Sequence, residues 1–473
     1  MTNVSTNAEV TAIDTGARWP LLLLLGGALK WLVFAGVFSL IASIQLHSPA
    51  FLSGCEWLTH GRVVALAETM FIYGWAANAG LALAIWMLGR LGGEPLRALN
   101  WVVVGTYAWN IGLGLGLIGI AIGDATSFSL LQLPRYVQPL MLAGYGAIAV
   151  SGILAWSGRR TDGTFASQWY AVAALFLFPW LFSAAQIMLF WSPVRGALQA
   201  VAAGWFAQGA WSLWLAPLAL AAAYYVLPKV TGRALPAYEF APLGFWTLLV
   251  IGAWTGGRNL IGGPVPAWIA TIAIVSCSLL LFHYLVVALN LRPVIGAGGT
   301  ALKFIAFGLG AYVLGGVLDA LTAFRDIARI TQFTHFATAQ QTLALYGGVS
   351  MMLLGGIYYA VPRLTGRPWA SAAFVGAHRM AVTLGILLLV VSLAGAGWTQ
   401  GHDLNDAKVS FADIAVHTRP WLLAATAAQV LLLAGNLILL VNFGRSALAC
   451  CCAEPAPAEN TFRQAATMEV PAP

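Results

Sequence analysis

The decapeptide Tyr224-Tyr225-Val226-Leu227-Pro228-Lys229-Val230-Thr231-Gly232-Arg233 recurs as Tyr358-Tyr359-Ala360-Val361-Pro362-Arg363-Leu364-Thr365-Gly366-Arg367. Each copy closes a long apolar run, at 200–227 and 337–361. Aromatic and basic residues mark the water-facing edge of many membrane helices. That tendency accounts for the tyrosines and the cations but not for the shared Pro and Thr-Gly-Arg, so the pair reads as an internal repeat. The copies close the sixth and tenth of twelve apolar runs. A period of four runs predicts a scaffold of four-helix blocks, three of which make twelve.

The chain has 473 residues, 60% hydrophobic and 8% charged, with a mean hydropathy of +0.82. No water-soluble core absorbs that composition. At about 20 apolar residues per crossing, the runs at 20–44, 62–89, 98–122, 134–157, 168–190, 200–227, 240–257, 265–291, 301–323, 337–361, 376–398 and 419–443 make twelve spans. In lipid such spans must be helices, because only a helix satisfies its own backbone. The expected fold is therefore all-α, a polytopic membrane protein with a twelve-helix domain over 20–445. Residues 1–19 and 446–473 are expected to form polar tails, the second disordered. The first run lacks a signal-peptide cleavage pattern and is expected to stay as an anchor. Nucleic-acid binding and a large soluble catalytic domain are excluded, and membrane lipid is the implied surrounding. Fourteen Lys and Arg fall at the even-to-odd junctions and in the tails, against eight at the other junctions, which predicts that both termini are cytoplasmic. The formal charge of +7 reflects those loops and identifies no substrate.

Ionisable groups inside spans are costly in lipid and default to functional candidates. Lys30, Glu68, His283 and Asp319 are the four, and Lys30 is expected to pair with a carboxylate inside the bundle. His47, His60, His335, His402 and His417 fall at one set of span ends beside Glu56, Asp403, Asp406 and Asp413. No tight metal-ligand spacing joins them. Met70 with Met351 or Met352 is a further pair of soft donors, although methionine in an apolar helix more often packs. Of the five cysteines, Cys55 and Cys277 stand alone and Cys450, Cys451 and Cys452 form a run past the last span; none makes a CxxC pattern. Gly112, Gly114, Gly116, Gly119 and Gly123 give the third span a surface that lets helices approach closely.

The repeated helix ends, twelve spans and cytoplasmic termini resemble subunit I of the heme-copper oxidase superfamily, most closely the cbb3-type cytochrome c oxidases. Further motifs follow in the family's order: Gly61-Arg62 before the low-spin heme ligand, Trp254-Thr255-Gly256 with Pro266-Ala267-Trp268 around the paired copper ligands, Asp319 and Arg325 in and after span nine, and Phe333-Thr334-His335-Phe336 before span ten. The resemblance covers roughly residues 56–370. It implies three four-helix arcs, a bacterial inner-membrane location, and a respiratory site built on six histidines, two for low-spin heme, one for high-spin heme and three for copper.

Those histidines are missing. Aligned on the retained motifs, Ala67 takes the place of the heme ligand on span two, and Gln208 that of the first copper ligand. Arg258 and Asn259 replace the paired copper ligands, Gln340 and Thr342 the two heme ligands on span ten, and Gly252 the tyrosine that the family crosslinks to copper histidine. Imidazole suits both iron and copper, so the expectation is that no cofactor, heme or copper, is held at the family's positions. His60, His335, Arg62 and Arg325 are the residual candidates for binding a cofactor through unusual ligands. The reading is a ligand-depleted, non-catalytic paralogue that assembles with respiratory-chain subunits such as membrane-anchored cytochrome c. The alternatives are a proton or small-solute transporter on the same scaffold, and an active oxidase or nitric oxide reductase with unusual ligands.

Overall fold

The computed structural model describes residues 2–161, 163–294 and 298–451. Among the described residues, twelve helices are long and apolar enough to cross a membrane: α1 (Val10–His47), α2 (His60–Gly92), α3 (Leu99–Ile122), α4 (Gln138–Ser157), α5 (Ala166–Trp191), α6 (Ala197–Thr231), α7 (Tyr238–Leu260), α8 (Ala267–Asn290), α9 (Thr300–Thr322), α10 (His335–Thr365), α11 (Ala372–Leu404) and α12 (Phe411–Cys450). Twelve spans bring the start of α1 and the end of α12 to one side, here the terminal face; the opposite side is the far face.

Three helices form the centre. The most apolar stretches of α2, α6 and α10 are 100%, 94% and 89% buried, whereas those of the other spans are between 33% and 56% buried. The inner helices are four spans apart, which is the arrangement of three four-helix arcs that the repeat implies. All three pack against one another.

The repeat proves threefold. Each inner helix ends on a glycine in the left-handed conformation, Gly93, Gly232 and Gly366, with φ of 65°, 63° and 68°. Only glycine takes that position without a Cβ penalty, and the turn it makes satisfies the last carbonyls of the helix. Three residues before each glycine stands a cation, Arg90, Lys229 or Arg363, and seven residues before it an aromatic ring, Trp86, Tyr225 or Tyr359. The three rings meet on the central axis, with centroids 5.5, 6.2 and 5.9 Å apart. In the same register each inner helix widens into a π-helical turn, at Met70–Ala76, Ala210–Leu215 and Leu343–Ser350.

Two boundaries differ from the expectation. Residues 2–19 are helical and continuous with α1, so the bundle begins near Val10 and not at 20. Buried Ile13, Asp14 and Ala17 lead into Leu21, Leu24, Ala28 and Ala35, a three-four spacing that marks one face of a helix. Asp14 accepts a hydrogen bond from Trp86 Nε1 at 2.9 Å and pairs with Arg90 at 3.2 Å, which fastens α1 beneath the aromatic triad. At the other end the last helix runs to Cys451. The tail from 452, with Cys452, lies outside the described residues.

Candidate functional site in the far half

The turn at the end of α7, Gly252–Leu260, carries Arg258 into the bundle and leaves Asn259 exposed at its edge. It can approach α6 because both surfaces lack side chains at the crossing: a Cβ on Gly256 would lie 2.3 Å from the Gly204 carbonyl oxygen. Gly252 is equally confined, since a Cβ there would lie 2.4 Å from that of Ser212. No tyrosine fits at that position without moving α6.

This crossing sets Arg258 opposite α9. Its Nη1 lies 2.8 Å from Asp319 Oδ1 and also donates to the Asp319 carbonyl at 3.3 Å. Gln340 of α10 completes the arrangement, its Nε2 donating to Asp319 Oδ1 at 3.3 Å and to Thr322 Oγ1 at 2.9 Å. Gln332 Nε2, after the short helix Arg325–Thr331, donates to the Asn259 carbonyl at 2.8 Å. Together these residues wall a cavity of about 270 Å³ with Gln208, Trp211 and Gln341. Gln208, Arg258, Asn259 and Gln340, all at places where the resemblance puts metal ligands, thus converge on one chamber. Thr342 does not join them; its hydroxyl is spent on the Thr338 carbonyl of its own helix.

Glu68 lies at the edge of this chamber. Gln341 Nε2 donates to its Oε1 at 2.7 Å, and Gln132 Nε2 donates to its other oxygen. Gln132 lines a second cavity, of about 290 Å³, with Arg62 and Thr126. Glu68, Gln132 and Gln341 therefore link the two cavities. The carboxamides of this link, and Thr322 and Gln332, escaped the sequence reading because no motif surrounds them.

The remaining candidates separate. His283 is fully buried, with Nδ1 2.8 Å from the Gly244 carbonyl and Nε2 2.9 Å from the Tyr312 hydroxyl, which makes it a satisfied core histidine. Lys30 is a correction: it is exposed on the outside of α1, with its Nζ 4.3 Å from the Trp31 ring centroid, and no carboxylate pairs with it among the described residues. His60 and Arg325 are exposed and His335 is half-buried, while Arg62 donates to the Glu56 carbonyl. His47 contacts Ser48 and Thr426, and His417 pairs with Asp403 at 2.9 Å. Among the described residues, no three His, Cys, Asp or Glu side chains stand close enough to share a metal ion. Met70 and Met351 are buried. In the shared register they are eight residues, about 12 Å, apart along the bundle, too far to hold one iron.

The residues present do not fit heme and copper at the family's positions. The cavity beside Arg258 is lined by no His, Cys, Met or Tyr, the side chains that ligate heme iron and copper. Arg258 is a cation engaged to the one carboxylate of the lining. Between Ala67 and the start of α10, the inner helices are already joined by three rungs: Glu68 with Gln341, Phe71 with Tyr346 at 4.8 Å between centroids, and Trp75 Nε1 with Ser350 Oγ at 2.7 Å. A porphyrin between α2 and α10 would have to part them.

Residues 20–431 match the family described as Cytochrome C and Quinol oxidase polypeptide I. The chain is 22% identical over 430 residues to Cbb3-type cytochrome c oxidase subunit CcoN1 of Stutzerimonas stutzeri, covering 87% of this chain and 90% of that protein. It is 20% identical over 438 residues to cytochrome c oxidase subunit 1 of Rhodobacter capsulatus, covering 87% and 82%. A chain from the solved structure of a heme-copper terminal oxidase dimer superposes with a TM-score of 0.64 at 16% identity, over 96% of this chain and 86% of that one. At that identity the superposition speaks to fold.

Proposed function

The chain belongs to the heme-copper oxidase subunit I family, and from that premise we propose that it is a cbb3-related, non-catalytic member that keeps the membrane scaffold and works by assembling with respiratory electron-transport subunits. The observation that carries this reading is the Arg258–Asp319 pair, 2.8 Å long, with Gln340 hydrogen-bonded to it, where Arg258 and Gln340 are residues that the resemblance aligns with copper and heme ligands. Oxygen reduction needs cofactors for its redox chemistry, and the protein must hold them by suitable donors. An ion pair and neutral carboxamides supply none. The cytochrome c oxidases that the chain resembles are the ground for expecting respiratory partners, such as a membrane-anchored cytochrome c.

The terminal face is assigned to the cytoplasm of a bacterial inner membrane. The fourteen-to-eight charge split supports this orientation, and Arg90, Lys229 and Arg363, at the ends of the three inner helices, are three of the fourteen. A reporter fused after Pro473 should be active in the cytoplasm and silent in the periplasm.

The decisive measurement is a reduced-minus-oxidised spectrum with metal analysis on protein purified from its native membrane and freed of cytochrome subunits. The expected result is no stoichiometric heme or copper. Two hemes and one copper per chain would defeat the reading, and one heme lost on His60→Ala or His335→Ala would show a new site at the far face. Purification before removal of partners should bring down cytochrome-containing subunits.

A further inference from the structure

The chamber that replaces the metal site has a chemistry of its own, and its interpretation rests on the metal-free reading above. Its two charges cancel. An anion entering to reach Arg258 meets the Asp319 carboxylate 2.8 Å away, and a cation drawn to Asp319 meets the guanidinium. The rest of the polar lining is uncharged.

Two of those side chains are unspent. The carboxamides of Gln208 and Asn259 make no hydrogen bond to any described residue, although the backbone carbonyls of both are used by Ser212 and Gln332. Gln340 gives its donors to Asp319 and Thr322, which leaves its carbonyl oxygen as an acceptor. A carboxamide presents two donors and two acceptor sites, so this wall matches a partner that both gives and accepts hydrogen bonds. Trp211 adds a flat apolar side, suited to a carbon skeleton. The volume, about 270 Å³, is close to the lower end of ligand pockets, roughly 300 Å³. Ser129, Asn259, Ala337, Thr338 and Gln341 of the lining are exposed and form its mouth, so that Asn259 stands at the entrance and Gln208 deeper in.

We propose that this far-half chamber binds a small, net-neutral solute rich in hydrogen-bonding groups, of the polyol or amide class, with Gln208 and Asn259 as its recognition residues. The Arg258–Asp319 pair screens out charged competitors and holds the turn that presents Asn259.

The test uses the purified full chain in lipid nanodiscs, with glycerol, glucose and nicotinamide as neutral probes and sodium acetate, phosphate and copper(II) as ionic ones. The expected result is a concentration-dependent rise in unfolding midpoint with at least one neutral probe. Gln208→Leu with Asn259→Leu should weaken that response by about tenfold or more, as the loss of two or more ligand hydrogen bonds predicts. Gln208→Glu, which keeps the side-chain size, should weaken it too and guards against misfolding of the double variant. If no neutral probe gives a variant-sensitive response, or if acetate, phosphate or copper gives one, the inference is overturned. Native heme or copper in the preparation would instead defeat the metal-free reading beneath it, so the two failures are distinguishable.

Discussion

At the terminal face the three inner helices meet through Trp86, Tyr225 and Tyr359, with Arg90 and Asp14 locked against them. At the far face α6 and α10 instead border a chamber of about 270 Å³ walled by carboxamides and one ion pair. Both halves contain a buried or half-buried charge pair, but its surroundings differ. The side chains of Arg90 and Asp14 are 11% and 5% exposed, those of Arg258 and Asp319 17% and 27%. Packing rings and an enclosed pair close the terminal half; the far half leaves its pair more exposed beside an open chamber. The inner helices are therefore held together at the terminal face by contacts that involve no metal ligand.

The difference can be broken by substitution, with unfolding free energy in mixed micelles as the readout. Arg90→Met leaves Asp14 charged and enclosed, and removing one partner of a buried pair costs about 3–5 kcal/mol. Adding Asp14→Leu should recover much of that loss. A smaller effect is expected at the far pair: Arg258→Met should cost roughly 1–3 kcal/mol, since water reaches both groups and relieves the orphaned carboxylate. Equal costs at the two pairs would contradict the contrast between the halves. Gln208→Leu should change stability by no more than about 0.5 kcal/mol, as a side chain without a protein partner has no bond to lose. The smallest change is expected for Lys30→Met, where only a cation–π contact of about 0.5 kcal/mol is at stake. A loss above about 2 kcal/mol there would restore the carboxylate partner that the structure does not show.

The sequence disclosed some of this better than the rest. Helix number and the period of four were legible because hydropathy and a ten-residue motif are local signals. The third copy, in α2, was hidden: only an aromatic, a cation three residues before a glycine, and that glycine survive around Trp86, Arg90 and Gly93. The resemblance pointed to Gln208 and Gln340 as residues of interest, whereas their convergence with Asp319 depends on a glycine crossing between α6 and α7. The orientation of Lys30 was illegible for another reason. Around it α1 is apolar on nearly every side, so no phase in the sequence separates a lipid-facing position from an inward one. Asp14 was missed because its polar neighbours suggested a tail, although its three-four spacing into Leu21 and Leu24 was present.

The π-helical turns in α2, α6 and α10 bear on how this family can change. One additional residue in a helix advances everything beyond it by roughly 100° of rotation, and a π turn is the local means of absorbing such an addition. In α6 and α10 it lies between the end that carries Gln208 or Gln340 and the half that ends on the aromatic triad, and in α2 between Glu68 and Trp86. The two halves can thus be indexed separately, like two dials on one shaft with a coupling between them. Deleting a single residue within Leu343–Ser350 should regularise the turn and leave one dial misaligned, swinging either Tyr359 off the axis or Gln340 out of the chamber.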